Sequence, residues 1–182
     1  MADDDQTRKV NKYLDRAMAD PMVIFLFTAL AEAGCTLSRR DIVVTECPPS
    51  RAGGFAPEHG IVLCKNTIAS KSHLQDTLGH ELIHAYDHCT AKVDWNNPNM
   101  LACSEIRAQT LSGECKFTRE FARGHPGAFV NLGIAKHFQE CVKRRSILGV
   151  QQVFPDGKAA QNAVNTVWES CFPDTAPFDE IY

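Results

Sequence analysis

A chain of 182 residues is one domain's worth, long enough to bury roughly two thirds of its unfolded surface without covalent staples. With 44% apolar residues, 23% charged residues and a formal net charge of −3, it reads as an ordinary globular protein. That balance argues against a dedicated nucleic-acid binder, which carries a basic face and a high pI. The longest apolar run, Met22 to Ala31, covers about 10 residues where a bilayer needs roughly 20. The acidic start, Met1-Ala2-Asp3-Asp4-Asp5, is unlike a signal or transit peptide, which begins basic.

Val10, Leu14, Ala17, Met22, Phe25 and Leu30 recur at near-helical spacing and predict an amphipathic helix over about Thr7 to Ala33. Pro21 interrupts it, as a kink or as the boundary of two shorter helices, and Gly34 is a good stop. Ile42-Val43-Val44-Thr45 reads as a short strand ended by Cys47-Pro48-Pro49. Gly53-Gly54-Phe55 and Gly60-Ile61-Val62-Leu63-Cys64 read as two more, joined by a turn around Pro57 to Gly60. From about Ser70 the period turns helical and runs to about Cys89, with Ser72 or Thr67 as its cap. Asn96-Asn97-Pro98-Asn99 is a loop. A helix from about Met100 to Phe121 follows, broken by Gly124 and Pro126, and two further helices fit Phe129 to Gly149 and Asp156 to Cys171. Pro173 and Pro177 mark a loose tail. The expectation is a single domain over residues 1–182 with loose ends at about 1–6 and 173–182, in an α+β layout.

Eight cysteines, Cys35, Cys47, Cys64, Cys89, Cys103, Cys115, Cys141 and Cys171, are scattered with no Cys-x-x-Cys pair, so a cysteine-rich zinc site is not expected. Two readings stay open: small buried hydrophobes in a reducing compartment, or up to four disulfides in an oxidising one.

The chemistry-bearing run is His80-Glu81-Leu82-Ile83-His84. At about 100° per residue the two histidines lie about 40° apart, one turn along the same face, so both imidazoles can reach one tetrahedral zinc ion. Glu81 lies about 100° round from His80, where it cannot easily ligate that ion but can take the proton of a water the ion acidifies. The motif is short enough to arise by chance. Its place in an amphipathic helix, with Leu78, Leu82 and Tyr86 toward the opposite side, strengthens it against the competing reading of two surface histidines on a solvated helix.

A catalytic zinc takes a third protein ligand. Asp87 and His88 share the histidine face, but lie about 10 and 12 Å along the axis from His80, too far for one ion to bridge. They are better placed to hydrogen-bond a ligand imidazole. Glu105, on the next helix, is the stronger choice, with His88 and Asp87 as alternatives. Its own face carries Ala102, Ala108, Gln109 and Ser112, small or polar residues that let two helices approach, and Gln109 could orient a ligand. A glutamate about 20 residues after the second histidine resembles the Glu-type zincins, such as the thermolysin class. The strand Gly60, Ile61, Val62, Leu63 is a candidate edge for an extended substrate peptide, or a plain structural strand. His73, Arg107, His125, His137 and the tyrosines are open candidates for stabilising the oxyanion. Lys143-Arg144-Arg145 reads as a solvated helix face.

The run from His80 to Cys89, with Val93-Asp94-Trp95, Ala102 to Ala108 and Leu111-Ser112-Gly113-Glu114-Cys115, closely resembles the mitochondrial inner-membrane metalloprotease family that serves ATP synthase assembly. The resemblance extends over Gly53-Gly54, Gly60 to Cys64, Glu140 to Arg145, Glu169-Ser170-Cys171-Phe172 and Pro177-Phe178-Asp179. It implies a small zincin-like fold with a short β-sheet, an active-site helix and several further helices, and one Zn2+. It implies His80 and His84 as ligands and Glu81 as the catalytic residue; Glu105 remains an inference from geometry. It also implies residence on the intermembrane-space side of the inner membrane, attached peripherally, with import by oxidative folding and most cysteines in disulfides. Some fungal members have ten cysteines, which leaves room for one family bridge to be missing here. The implied work is removal of a propeptide from a membrane-embedded ATP synthase subunit precursor, together with a chaperone role in assembling the membrane sector. The alternatives are a non-proteolytic assembly chaperone, or a partner of the DNA-end protein Ku in repair. No nucleic acid is expected as a ligand.

Overall fold

The computed structural model describes residues 4–122 and 133–180. The sequence suggests one domain; the chain divides into two compact units, residues 1–92 and 93–182.

The first unit opens with α1 (Asp5–Ala17) and α2 (Pro21–Glu32). Asp4 caps α1 by accepting from the Thr7 N–H at 2.7 Å, and Thr7, Val10, Leu14 and Ala17 form its buried face. The expected long helix is two shorter ones. Pro21 occupies the first turn of α2, where its missing N–H is no loss, and Asp20 caps that helix. Gly34 ends α2 at φ 86°, and the Cys35 N–H reaches back to the Leu30 carbonyl at 2.9 Å. Residues 4–6 are not loose: Asp4 bonds the Lys65 ammonium, and the Gln6 amide donates to the Lys65 carbonyl at 2.9 Å.

Three strands follow: β1 (Ile42–Thr45), β2 (Gly53–Ala56) and β3 (Gly60–Cys64). The sheet order is β1-β3-β2. β1 runs parallel to β3, pairing Ile42 with Ile61, and β2 runs antiparallel, pairing Gly53 with Leu63. β3 is therefore the middle strand. Gly60, Ile61, Val62 and Leu63 have partners on both sides and cannot be an open edge for a substrate; the outer edges belong to β1 and β2. Cys47–Cys64 bridges the β1 exit to the end of β3.

The 21-residue α3 (Lys71–Ala91) is capped by Ser70, whose hydroxyl accepts from the His73 N–H. It packs against α1, α2, β2 and β3. With neighbours on so many sides it buries its polar stripe (Asp76, Thr77, His80, Glu81, His84, Asp87) as well as Leu74, Leu78, Leu82 and Ile83. Cys35–Cys89 ties its last turn to the end of α2.

The second unit holds α4 (Pro98–Leu111), α5 (Phe117–Ala122), α6 (Gly133–Gln151) and α7 (Gly157–Cys171). The helix expected over Met100 to Phe121 is interrupted: Gly113, at φ 88°, turns the chain between α4 and α5. The breakers Gly124 and Pro126 lie outside the described residues. α4 packs on α6 and α7, around Leu101, Ala102, Ile106, Val142, Val150, Ala163 and Val164. Cys103–Cys171 joins α4 to α7, and Cys115–Cys141 joins the turn after α4 to α6.

The basic run is only partly a solvated face: Arg144 is exposed, and Lys143 and Arg145 are half-buried. Lys143 lies over the Trp168 ring at 4.5 Å. Arg144 pairs with buried Glu120 at 2.6 Å. Arg145 bonds Glu114 at 2.7 Å and the Gln109 carbonyl at 2.8 Å. Buried carboxylates need such partners, and two of the three adjacent cations, Arg144 and Arg145, supply them. Nor is the C-terminal segment loose over its described part. Arg107 donates to the Asp174 and Ala176 carbonyls and pairs with the Asp174 carboxylate, and Phe178 is buried.

Candidate metal and catalytic site

The helical spacing of His80 and His84 brings their Nε2 atoms to 3.0 Å, with ring planes at 82°. Two imidazoles ligating one tetrahedral zinc at 2.0–2.1 Å would hold their nitrogens about 3.3–3.4 Å apart, so the pair is close to ligand geometry. The same separation allows a hydrogen bond between the rings. Both histidines are buried, and their Nε2 atoms face each other as a convergent pair of soft bases.

Glu81 is also buried, and its carboxylate lies over β2. A Cβ placed on Gly53 would stand 3.0 Å from Glu81 Oε1, 2.8 Å from Thr77 Cγ2 and 3.2 Å from the Val62 carbonyl. The strand can lie this close to α3 only because residue 53 lacks a side chain. The catalytic candidate thus sits against bare backbone in the same unit as the histidine pair.

Glu105 belongs to α4 in the second unit and is buried. Its carboxyl group rests on Gly149 of α6. Gln109, one turn on, has its carbonyl held by Arg145. Among the described residues, His80, His84 and Glu105 are the set of His, Cys, Asp and Glu side chains that could hold a metal ion, each offering one ligand atom. His88 and Asp87 are not in that set. The His88 ring lies 6.0 Å from that of Phe55, while Asp87 is buried one turn beyond His84. All eight cysteines are in disulfides, which leaves no thiolate to compete. A nitrogen-and-carboxylate donor set fits zinc.

The oxyanion candidates scatter. His73 Nδ1 accepts from the Ala69 N–H at 3.2 Å at the start of α3. Arg107 is occupied with the C-terminal segment. His137 is buried on α6. His125 lies outside the described residues. The two glycines beneath the carboxylates are what sequence reasoning missed. A glycine inside a strand or helix, where no turn is needed, is the signal that could have found them.

A model of the Peptidase M76 family matches residues 8–179. The chain is 48% identical over 166 residues to the mitochondrial inner membrane protease ATP23 of Coccidioides immitis, covering 89% of this chain and 68% of that one. It is 47% identical over 165 residues to the protein of the same name from Neosartorya fischeri, covering 89% and 68%. For that of Malassezia globosa the identity is 44% over 187 residues, covering 91% and 74%. No solved structure matches. With a family model spanning nearly its whole described length, and the histidine pair and glutamate in place on α3, the chain belongs to the Peptidase M76 family.

Proposed function

We propose that this chain is a zinc-dependent endopeptidase in which His80, His84 and Glu105 hold one zinc ion and Glu81 is the general base. The observation that carries this reading is the pair of buried Nε2 atoms 3.0 Å apart, next to a carboxylate seated on bare backbone. A zinc ion bound there supplies Lewis acidity, polarising the scissile carbonyl and bringing the pKa of a water toward 7. Glu81 accepts the proton of the attacking water at a carboxylate oxygen as the new C–O bond forms. It then delivers that proton to the amine nitrogen as the C–N bond breaks. His80 and His84 present their Nε2 lone pairs to the ion. Asp87 and His88 steady the ligand rings, and Gln109, its carbonyl fixed by Arg145, presents its amide N–H groups toward carboxylate chemistry.

The substrate is a polypeptide. It lies extended along the outer edge of β2, where no described strand pairs, rather than along β3. We further propose, from the sequence resemblance and the relatives' printed names, that the setting is the intermembrane-space side of the inner membrane. The substrate there is the precursor of a membrane-embedded ATP synthase subunit, with an added role as assembly chaperone for the membrane sector. Four disulfides support an oxidising compartment and weigh against the Ku-partner reading, which requires free thiols. Among the described residues no helix is long and apolar enough to cross a membrane, in keeping with peripheral attachment.

The test is Glu81→Gln. Removing a general base lowers turnover by about 10²–10⁴-fold, and the variant should keep its metal. Cleavage at the wild-type rate would overturn the mechanism. Assembly of the ATP synthase by the same variant would favour the chaperone role, and failure would favour proteolysis.

A further inference from the structure

We infer that Gly149 is a positioning residue for the Glu105 carboxylate, a role that rests on the proposal that Glu105 is a metal ligand. A Cβ built on Gly149 would overlap that carboxyl group: it would lie 2.6 Å from Oε1 and nearer still to Oε2 and Cδ. All three of its nearest atoms belong to the Glu105 carboxyl group. Three ordinary reasons for a glycine are absent. Gly149 lies within α6, and its φ is not positive, unlike Gly113 and Gly133, so no left-handed turn requires it. No backbone atom is among the three nearest to the missing Cβ, so a close backbone approach is not what first fills its place. A glycine inside a helix is also less stable than an alanine, so local propensity opposes it. What remains is the space the carboxylate fills.

The consequence for the site is directional. On α4, Glu105 could swing through its side-chain rotamers. The α6 backbone under it is a floor at a height set by the absence of a side chain, and α4 and α6 pack on each other within one unit. Around that seat Arg145 of α6 bonds Gln109 on α4 and Glu114 in the turn that follows α4. Floor and clamp together fix where the carboxylate oxygens stand. An alanine at 149 displaces them by roughly the depth of a methyl group, without replacing a proposed ligand, the general base or a residue of the substrate edge.

The experiment measures zinc affinity by chelator competition and melting temperature of the metal-free chain, for wild type, Glu105→Ala, Gly149→Ala, Gly149→Ala with Glu105→Asp, and Gly149→Ala with Glu105→Ala. Changing a supporting group beside a ligand lowers metal affinity by roughly 10–100-fold, and that loss is expected for Gly149→Ala. Glu105→Asp, one methylene shorter, should restore part of the affinity lost in Gly149→Ala. Affinity within twofold of wild type for Gly149→Ala, or no recovery in the aspartate double variant, would overturn the inference. If Gly149→Ala does not fold, the Glu105→Ala double variant decides: folding like Glu105→Ala alone supports a clash with the carboxylate, and failure to fold refutes it. Wild-type affinity in Glu105→Ala would instead remove the ligand assignment, and this inference with it. Loss in Glu105→Ala but not in Gly149→Ala would sink this inference alone.

Discussion

Gly53→Ala tests whether Glu81, the proposed general base, is held by a strand pressed against its helix. The added methyl would stand 2.8 Å from Thr77 Cγ2, 3.0 Å from Glu81 Oε1 and 3.2 Å from the Val62 carbonyl oxygen. All three are inside ordinary contact distance, and two of the neighbours belong to α3, which is buried and cannot yield freely. Overpacking of this kind typically costs about 1–3 kcal/mol. For a chain of this length that is a fall in melting temperature of about 2–4 °C per kcal/mol. The functional cost is larger. A displacement of about 1 Å of a catalytic group lowers turnover by about 10²-fold, while His80 and His84 stay in place and zinc affinity is held within a few-fold. Thr77→Ser removes the Cγ2 methyl and should recover part of both losses in the double variant. Peptide cleavage, zinc affinity and thermal melts on the three variants decide it. Gly53→Ala with wild-type turnover and melting temperature would refute the claim that β2 sets the position of Glu81.

Other outcomes are expected elsewhere. Arg145→Ala removes one cation from buried Glu114 and one donor from Gln109, and should destabilise by about 3 kcal/mol; an unchanged melt would mark the network as unimportant. Replacing Cys103 and Cys171 by serine opens a loop of 68 residues, worth about 4 kcal/mol by chain entropy. A denaturant midpoint equal to wild type would contradict that. Asp4 is held down to about 2 by its bond to the Lys65 ammonium first and then by the Thr7 N–H. A depressed carboxylate contributes stability above its ordinary pKa, here 3.8, and loses it as pH falls toward about 2. Melts of wild type should therefore fall more steeply than those of Asp4→Asn over that window, and parallel curves would exclude the coupling.

The periodic parts of the fold were legible in the sequence. Val10, Leu14 and Ala17 announced α1, the β-branched Ile42 to Thr45 announced β1, and His80 to His84 announced the site, because each pattern is local. Sheet order was not legible: Gly60 to Cys64 looks the same as an edge or a centre strand until its partners are known. Pairing of the cysteines was likewise a long-range fact, linking residues 17 to 68 apart. Lys143-Arg144-Arg145 was legible only in part for a related reason. Charge patterns read as solvated faces unless the buried carboxylates that receive them, Glu114 and Glu120, can be seen. The helix expected to run to Phe121 ends near Gly113, because a lone glycine with positive φ suffices to end a helix.

Two imidazoles, from His80 and His84 on α3, and the Glu105 carboxylate on α4, with no sulfur, are proposed to hold the zinc ion. X-ray absorption at the zinc edge of metal-replete protein tests it most directly. Nitrogen and oxygen donors at about 2.0–2.1 Å are expected, with scattering from two imidazole rings that drops to one ring in His84→Ala. Zinc–sulfur scattering at about 2.3 Å, or a spectrum unchanged by His84→Ala, would contradict it.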